Sequence, residues 1–549
     1  MSEHDGSFFG VRGHPSRPER GLGEAEGRVD SRQSDRLPPS WTDPTVRRAS
    51  ALIGGPWGRH GQIGRRWFWT PLRVVLLLAT LTLALAWWQK SPCQDGNWNL
   101  SKPVLHHLPD RSTEQAYVSG KQYVQLCYSD IIPLYGAEGI ADHKVPYAQH
   151  VNEYPVLTGW FMYGAGGLGR GYDWLARQAT FLPNVPAVES YYQATVLLLV
   201  ISALIIVGSV ARMHRRRPWD AAMVAVAPVI FAQAFTNWDL FAGAFAIGGI
   251  FAWSRRKHAL GGVLIGLGTA AKLYPLFLLG PLLVLCFRAR KLREFSITLV
   301  TAVISWAAVN VPVALLYRKN WEQFFTLNNT RPADPDTLWN VAQDMFDVQI
   351  PVHPLNFVTA LLFGAICVGL AALALLAPRR PRLAQLAFLV VAGFLLTNKV
   401  WSPQYSIWLV PLAVLARPRW RLFLAWQFVD AFLWFPRMYW FLQGMQSQQK
   451  ADGFDVLQRA LDLKWFLIVV VVRDLLVLAY AVMVVRDVLR PAGDVVRADG
   501  VDDDPCGGVL DHASDHGAVS ARRGARVDRE PDTGDDGWRR GDEWAPARG

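Results

Sequence analysis

The sequence contains few cysteines, and none of them has the spacing of a metal or redox site. Its 549 residues include five cysteines, no two of which form a C-x-x-C pair: Cys93, Cys127, Cys286, Cys367 and Cys506. Structural zinc sites and dithiol redox centres depend on such close pairs, so the sequence predicts neither. Cys93 and Cys127 fall in one predicted outer loop and are the candidates for a disulfide there.

A basic face suited to nucleic acid is also absent. The formal net charge is +11, but no soluble domain carries basic residues interleaved with aromatic ones, so we predict no nucleic-acid partner. The Arg and Lys residues instead form clusters between apolar blocks, in a chain that is 51% hydrophobic and has 24 Trp. This is the pattern of a polytopic membrane protein, whose basic loops lie on the cytoplasmic side against anionic membrane lipids.

The apolar blocks predict an all-α protein with about twelve transmembrane helices in a membrane domain of residues 67–488. The first span, Trp69 to Trp88, follows Arg65-Arg66 and reads as an uncleaved anchor. Because arginine clusters recur in every predicted inner loop, both termini are predicted to be cytoplasmic and the protein to reside in the plasma membrane. We find no internal repeat that would indicate the inverted symmetry of a transporter.

Both ends of the sequence differ in composition from this domain. Residues 1–66 are rich in Arg, Gly, Ser and Pro, and residues 489–549 are rich in Asp, Arg and Gly. Segments with so few aliphatic residues bury too little apolar surface to offset their ordering entropy. We therefore predict two disordered cytoplasmic tails.

The outer loop between the first two spans contains the most unusual stretch, Cys127 to Thr158. Here Asp130 and Glu153 lie among tyrosines, prolines and aliphatic residues beside a membrane, which favours a functional site over a solvated linker. The alternative is a loop whose acids only cap helices. Within the same loop, Pro155 to Leu168 is apolar but short, as expected of an interfacial or re-entrant helix.

Further polar residues occur at the predicted outer ends of other apolar segments, where the fold could gather them into one cavity. They are Asn237, Asp239, Lys272, Asn398, Lys399, Gln404 and Tyr405. A carboxylate in such a cavity can act as a general base, and the lysines can hold a phosphate leaving group. Since no nucleotide supply exists outside the cell, a phosphate-bearing donor would be a lipid.

Structural interpretations of the same residues stay open at this point. Asp239 and Lys272 can form a purely structural ion pair, and Lys399 can extend its amine to the membrane interface. Gln404 and Tyr405 can satisfy exposed helix ends. In the late spans, isolated charge is expensive, so Asp430 is expected to pair with Arg473 rather than act in catalysis.

The order of several short motifs resembles the GT-C class of polyprenyl-phosphate-sugar-dependent glycosyltransferases. The similarity points to family 87, the actinobacterial α-mannosyltransferases, and covers roughly residues 67–488. No single motif is as specific as a P-loop, so the resemblance depends on their order and sidedness. The motifs are Ser129-Asp130, Val145-Pro146-Tyr147, Glu153-Tyr154-Pro155-Val156, Asn237-Trp238-Asp239, Ala271-Lys272-Leu273-Tyr274-Pro275 and Ser402-Pro403-Gln404-Tyr405.

This resemblance implies a catalytic acid in the first outer loop, which maps onto Asp130, with Glu153 as the competing residue. It implies a polyprenyl-phosphate sugar donor, usually mannose, an envelope lipid or glycan acceptor, and inversion at the anomeric carbon. Phosphate is already a good leaving group, so the sequence demands no metal ion and no cofactor. Many relatives have Tyr-Pro-Pro where this chain has Tyr154-Pro155-Val156, so the acceptor could differ from phosphatidylinositol mannosides.

Two other classes of protein are alternatives to the enzyme. A transporter or flippase of a lipid-linked sugar would need polar groups along both halves of its path, and Asp430, Arg473 and Asp474 would line it. A non-catalytic scaffold for envelope assembly would leave Asp130 without a chemical role. The predicted clustering of polar residues at the outer side favours the enzyme.

Overall fold

The computed structural model describes residues 69–214, 216–457, 461–498 and 502–516, and the predicted tail of residues 1–66 lies outside them. The described chain is predominantly helical and has almost no sheet. Its α-helices, in chain order, are α1 (Pro71–Lys90), α2 (Lys121–Val124), α3 (Ile131–Ala137), α4 (Val156–Gln178), α5 (Ala187–Met213), α6 (Ala221–Ala225), α7 (Pro228–Gln233), α8 (Asp239–Ser254), α9 (His258–Ala271), α10 (Leu279–Arg288), α11 (Leu292–Leu316), α12 (Arg318–Thr330), α13 (Leu338–Phe346), α14 (Val352–Leu376), α15 (Leu383–Thr397), α16 (Ser406–Ala416), α17 (Trp420–Phe432), α18 (Trp434–Ala451) and α19 (Leu463–Leu489).

Helix length divides the apolar segments into two groups. Among the described residues, five helical segments are long and apolar enough to cross a membrane, beginning at Pro71, Ala187, Leu292, Val352 and Leu463. Five further apolar helical segments have 10–17 residues. The all-α membrane architecture is thus confirmed, while the number of twelve spans stays a prediction. A helix of 14 residues is only about 21 Å long, which is shorter than the hydrocarbon core.

The short helix α9 packs unusually close to the long helix α11. A Cβ atom at Gly266 would lie 2.2 Å from the carbonyl oxygen of Ala302, so only glycine permits this approach. The last residue of α9 is fixed by α4, because Thr158 Oγ1 donates to the carbonyl of Ala271 at 2.7 Å. These two contacts hold the C-terminal end of α9, where Lys272 follows, in one position.

The loop between α1 and α5 contains structure that the sequence did not lead us to expect. Strands β1 (Val104–His107) and β2 (Thr113–Ala116) form an antiparallel hairpin, which helical periodicity could not indicate because each strand has four residues. Helix α4 has 23 residues and is longer than the predicted interfacial helix. Cys93 and Cys127 form the disulfide for which they were candidates.

The segment after α19 is packed, which corrects the prediction of a disordered tail from residue 489. We call residues 491–498 and 502–516 the C-terminal strap. Its Cys506 and Leu510 side chains are fully buried, and Trp253 Nε1 donates to the carbonyl of Gly507 at 2.7 Å. Gly508 has φ +63° and lies so close to Trp253 that a Cβ atom would meet its carbonyl oxygen at 2.2 Å. Residues 517–549 lie outside the described part of the chain.

Acidic residues hold the strap to buried arginines of the bundle. Arg382 pairs with Asp494 at 2.7 Å, Arg288 pairs with Asp515 at 2.5 Å, and Arg380 lies 3.3 Å from Asp503. Composition alone predicts that this acidic segment is solvated. Its arginine partners come from segments more than 100 residues away, so the local sequence does not indicate them. The strap therefore covers the end of the bundle where α8 and α10 end and α15 begins.

The charges within the late helices pair differently from the prediction. Arg473 Nε donates to the adjacent Asp474 at 2.8 Å, and its guanidinium lies 3.8 Å from the ring centre of Trp401. Asp430 instead accepts a hydrogen bond from Trp426 Nε1 at 2.9 Å, one helical turn away. Among the described contacts, Asp430 and Arg473 therefore do not form the expected direct ion pair, although the charge of Arg473 still acts on Asp430.

Candidate active site

Asp130 is held by the turn that precedes α8. Its backbone N–H donates to the carbonyl of Thr236 at 2.8 Å, and Ser129 Oγ donates to the carbonyl of Phe235 at 2.7 Å. Both bonds join chain segments more than 100 residues apart. The half-buried Asp130 side chain is thus positioned at the end of α8 that lies opposite the strap.

Asn237 connects Asp130 to the next predicted site residue. Its side-chain Nδ2 donates to Asp130 Oδ2 at 2.8 Å and to Tyr154 Oη at 3.0 Å. Gln404 Nε2 lies 3.5 Å from the same carboxylate oxygen. Burial, followed by the nearby Asp130 carboxylate, raises the pKa of Tyr154 well above its usual value, so this phenol stays neutral. Four predicted residues therefore converge, although they come from three distant parts of the sequence.

Lys272 forms the structural ion pair considered from the sequence. Its Nζ lies 3.1 Å from Asp239 Oδ1, which also accepts a hydrogen bond from Trp408 Nε1 at 2.8 Å. The ammonium lies 4.9 Å from the ring centre of Tyr405 and 5.7 Å from that of Tyr154. Such aromatic faces attract a cation, so they add to the ion pair with Asp239 in holding the Lys272 side chain beside Tyr154 in a nearly buried position.

Lys399 lies in a separate polar group. Its Nζ donates to the carbonyl of Arg331 at 2.7 Å, and its own carbonyl accepts from the backbone N–H of Asp334 at 2.8 Å. Arg331 pairs with Asp334 at 2.6 Å, and Ser402 Oγ donates to Asp334 Oδ2 at 3.1 Å. Burial, and then the charge of Arg331, lower the pKa of Lys399. Sequence reasoning missed Arg331, which lies in a polar loop without periodicity.

Glu153 does not join the group around Asp130 in any of the described contacts. Its side chain is exposed, and its backbone N–H donates to Glu138 Oε1 at 3.4 Å. Glu138 is 2% exposed, and burial raises its pKa to about 7. The sequence reading overlooked Glu138 because nothing in its flanking residues distinguishes a buried acid from a solvated one.

A large apolar groove opens beside Tyr154. Its volume is about 330 Å³, within the usual range for ligand pockets. Side chains of α9, α11 and α12, together with residues after α9, form its walls. They include Leu273, Leu276, Leu299, Val303, Trp306 and Phe325. We call this cavity the apolar groove, and its composition suits a hydrocarbon chain.

A smaller cavity of about 110 Å³ lies at Asp130. Four aromatic side chains, Tyr123, Tyr128, Trp434 and Phe441, share its walls with polar groups. We call it the aromatic chamber. Tyr154 belongs to the wall of the apolar groove and Asp130 to that of the chamber, so the Asn237 bridge connects the two cavities. The remaining chamber residues are Thr236, Ser402, Gln404, Arg437 and Met438.

Comparison with known proteins gives one family. The model of glycosyltransferase family 87 matches residues 178–403, which confirms the resemblance drawn from the sequence. The matched range contains Asn237, Asp239, Lys272 and Lys399 and begins after Asp130. No curated protein matches the chain significantly. Together with the long apolar helices, the family match indicates a membrane glycosyltransferase.

Proposed function

Starting from a membrane glycosyltransferase of the family 87 type, we propose that this protein transfers a sugar from a polyprenyl phosphate. The sugar is mannose, the acceptor is an envelope lipid or glycan, and the configuration is inverted. The observation that carries the proposal is that Asp130, in the wall of one cavity, is joined through Asn237 to Tyr154, in the wall of a second cavity of different chemistry. The apolar groove suits the prenyl chain of a donor, whereas the aromatic chamber suits a polar substrate.

Lys272 is the cation best placed for the donor phosphate. It lies at the end of α9 against Tyr154, and Tyr154 and the next residue, Leu273, both line the apolar groove. A fixed cation in a water-poor site stabilises the negative charge that develops on a leaving phosphate. Lys399 is engaged by the carbonyl of Arg331 and is the weaker candidate. Tyr405 and Asp239 keep the Lys272 ammonium in place.

The proposed reaction is a single displacement with Asp130 as general base. The acceptor hydroxyl gives its proton to the Asp130 carboxylate as its oxygen forms a bond to the anomeric carbon. The bond from that carbon to the phosphate oxygen breaks, and the polyprenyl phosphate leaves with the electron pair. Asn237 and Gln404 contact Asp130 Oδ2 and orient the carboxylate for this proton transfer.

Two structural features support an extracytoplasmic site with cytoplasmic termini. The Cys93–Cys127 disulfide directly precedes Tyr128 of the chamber wall, and disulfides persist in oxidising compartments. At the other end of the bundle, Arg288, Arg380 and Arg382 form a basic group, as expected on the cytoplasmic side.

The same end of the bundle favours an enzyme over a transporter or flippase. A sugar carrier needs a polar path through the bundle, but Asp494 and the fully buried Arg382 pair beneath the strap at that end. Arg473 and Asp474, which would line a transport path, are buried and paired with each other. The apolar groove adjoins Tyr154 and the aromatic chamber adjoins Asp130, so both cavities lie at the same end of the bundle, as chemistry at one membrane face requires.

The substitution Asp130→Asn tests the proposal in lipid nanodiscs with labelled polyprenyl-phosphate mannose and an envelope lipid extract. Turnover should fall by about 10²- to 10⁴-fold, the usual contribution of a general base, while donor binding persists. Glu153→Gln is the matched control and should retain turnover. Normal turnover of Asp130→Asn with an inactive Glu153→Gln would move the base to Glu153, and activity in both would refute catalysis at this site.

A further inference from the structure

We propose that the aromatic chamber binds one neutral pyranose ring of the acceptor, so that a ring hydroxyl faces Asp130. This inference rests on the proposed glycosyl transfer and specifies its acceptor as a glycan or glycolipid sugar. The lipid or protein part to which the sugar is attached lies outside the chamber.

The chamber walls combine aromatic faces with hydrogen-bonding groups. The rings of Tyr123 and Phe441 are nearly parallel, with centroids 5.9 Å apart, and Tyr123 lies 6.0 Å from Tyr128 in a similar orientation. The C–H-rich face of a pyranose packs on such rings, while its equatorial hydroxyls need polar partners. Ser402 and Gln404 supply them beside Asp130. An acyl chain would leave these polar groups unpaired, which is unfavourable in a confined site.

The charges of the chamber favour a neutral ligand over a phosphate or an acidic sugar. Arg437 lines the cavity, but its Nε is paired with the fully buried Asp336 at 2.7 Å. Its guanidinium also lies 4.7 Å from the ring centre of Phe441. Among the described residues, the one cation that lines the chamber is therefore already paired with an acid. A second cation near Asp130, Lys90, donates to the carbonyl of Tyr128. An anionic group placed there would be repelled by Asp130.

Several contacts fix the shape of the chamber before any ligand binds. Lys90, which is 1% exposed, donates to the carbonyl of Tyr128 at 2.8 Å and lies 4.4 Å from the ring centre of Trp434. Trp434 Nε1 donates to the carbonyl of Leu126 at 2.8 Å, next to the disulfide at Cys127. A preformed site of this kind binds with little ordering cost.

Size and position agree with the place of an acceptor. At about 110 Å³ the chamber is well below the volume of a typical drug-sized pocket, so it takes one ring rather than an oligosaccharide. It also lies across the Asn237 bridge from the apolar groove. An inverting displacement requires the base and the attacking hydroxyl on the face opposite the leaving phosphate, which this arrangement provides.

The binding test uses octyl mannoside, octyl glucoside and octyl galactoside, with octyl phosphate as the anionic control. The protein is placed in nanodiscs, because glycosidic detergents would compete for the chamber. Saturation-transfer NMR should show ring protons of at least one glycoside in contact with the protein, and octyl phosphate should not displace it. Absence of ring contacts for all three glycosides, or displacement by octyl phosphate, would overturn the proposal.

Variants of the chamber wall locate the binding. Tyr123→Ala and Phe441→Ala should each weaken the glycoside affinity by roughly three- to tenfold, the effect of losing one aromatic contact. Phe435→Ala is the matched control, since Phe435 belongs to the same helix as Phe441 but is exposed and outside the chamber. Equal affinities in all variants would place the sugar elsewhere. Melting temperatures within a few degrees of the parent exclude unfolding as the cause, and Tyr123→Phe and Phe441→Leu replace any variant that unfolds.

Transfer assays separate this inference from the proposed function. In the parent protein, a glycoside that binds should accept labelled mannose, and the Phe441→Ala variant should raise the acceptor KM with an unchanged donor KM. Glycoside binding in the chamber without any transfer would refute the enzyme proposal and leave the sugar site standing. Transfer with an acceptor KM that is unchanged in Phe441→Ala and Tyr123→Ala would refute the sugar site alone.

Discussion

Glu138 provides a quantitative test of the burial seen in the outer loop. The carboxyl group is 2% exposed, and its Oε2 atom has no hydrogen-bond partner among the described residues. Burial raises its pKa from the usual 4.5 to about 7, with smaller effects from a hydrogen bond of the Glu153 backbone and from the Glu153 charge. At 1.36 kcal/mol per unit, this difference corresponds to about 3 kcal/mol.

The direction in which stability changes with pH follows from proton binding by Glu138. The folded protein holds the Glu138 proton more tightly than the unfolded chain, so the site's stabilisation is complete below pH 4.5 and is lost as the pH rises through about 7. Glu138→Gln keeps the neutral form at every pH. The variant should match the parent near pH 4.5 and exceed its stability by about 3 kcal/mol at pH 8.

The assay is thermal unfolding of the parent and Glu138→Gln in nanodiscs at several pH values from 4.5 to 8. The melting-temperature difference should grow with pH by a few °C, since about 1 kcal/mol moves the melting point of a large domain by roughly 2 °C or less. Glu153→Gln, at an exposed neighbour, should show a much smaller trend, because the Glu153 charge affects the pKa of Glu138 less than burial does. A constant difference across this range would show that Glu138 is ionised in the folded protein and that the burial argument is wrong.

Three further predictions concern the ion pair, the strap and the disulfide. Lys272→Met should destabilise the protein by about 3–5 kcal/mol in thermal unfolding, because Asp239 is left buried and unpaired. The double variant Lys272→Met with Asp239→Asn should regain stability but should still bind labelled donor weakly. Normal donor binding by the double variant would remove Lys272 from the phosphate site. A chain ending at residue 490 should lose detergent stability in size-exclusion chromatography, whereas one ending at residue 516 should behave like the full chain; equal behaviour would contradict the strap packing. Replacing Cys93 with serine should lower stability by roughly 4 kcal/mol in non-reducing thermal unfolding, because it removes a disulfide that links residues 34 positions apart. An unchanged melting point would argue against the bond.

Hydropathy, together with the polar turns and basic clusters that separate the apolar segments, located most of the helices. The sequence predicts apolar segments from His258 to Ala271 and from Ser406 to Ala416, and these coincide with α9 and α16. The sequence also predicts an apolar span from Leu422 to Phe435, which overruns the end of α17 at Phe432. A second helix, α18, begins at Trp434 and continues to Ala451 with aromatic and polar residues, so hydropathy alone did not indicate it.

Residue type and sidedness also grouped several candidate site residues. Asn237 joins Asp130 to Tyr154, and Gln404 also contacts Asp130, although the chemical roles of these four residues remain predictions. The aromatic wall was not anticipated. Phe441 resembles any apolar residue of a membrane helix, and only the tertiary arrangement shows which of the many aromatic rings face Asp130. Local sequence carries no information about such long-range neighbours.

The C-terminal strap also has a consequence for biosynthesis. Its contacts with Trp253 and Arg288 join residues separated by 254 and 227 positions, so they can form only after α19 has been synthesised. Until then, the guanidinium groups of Arg288 and Arg382 lack their ion-pair partners, Asp515 and Asp494. Docking of the strap therefore comes last and depends on the correct placement of α8, α10 and α15. A chain with a misplaced helix would keep an undocked acidic segment, which proteases cleave far more readily than packed backbone.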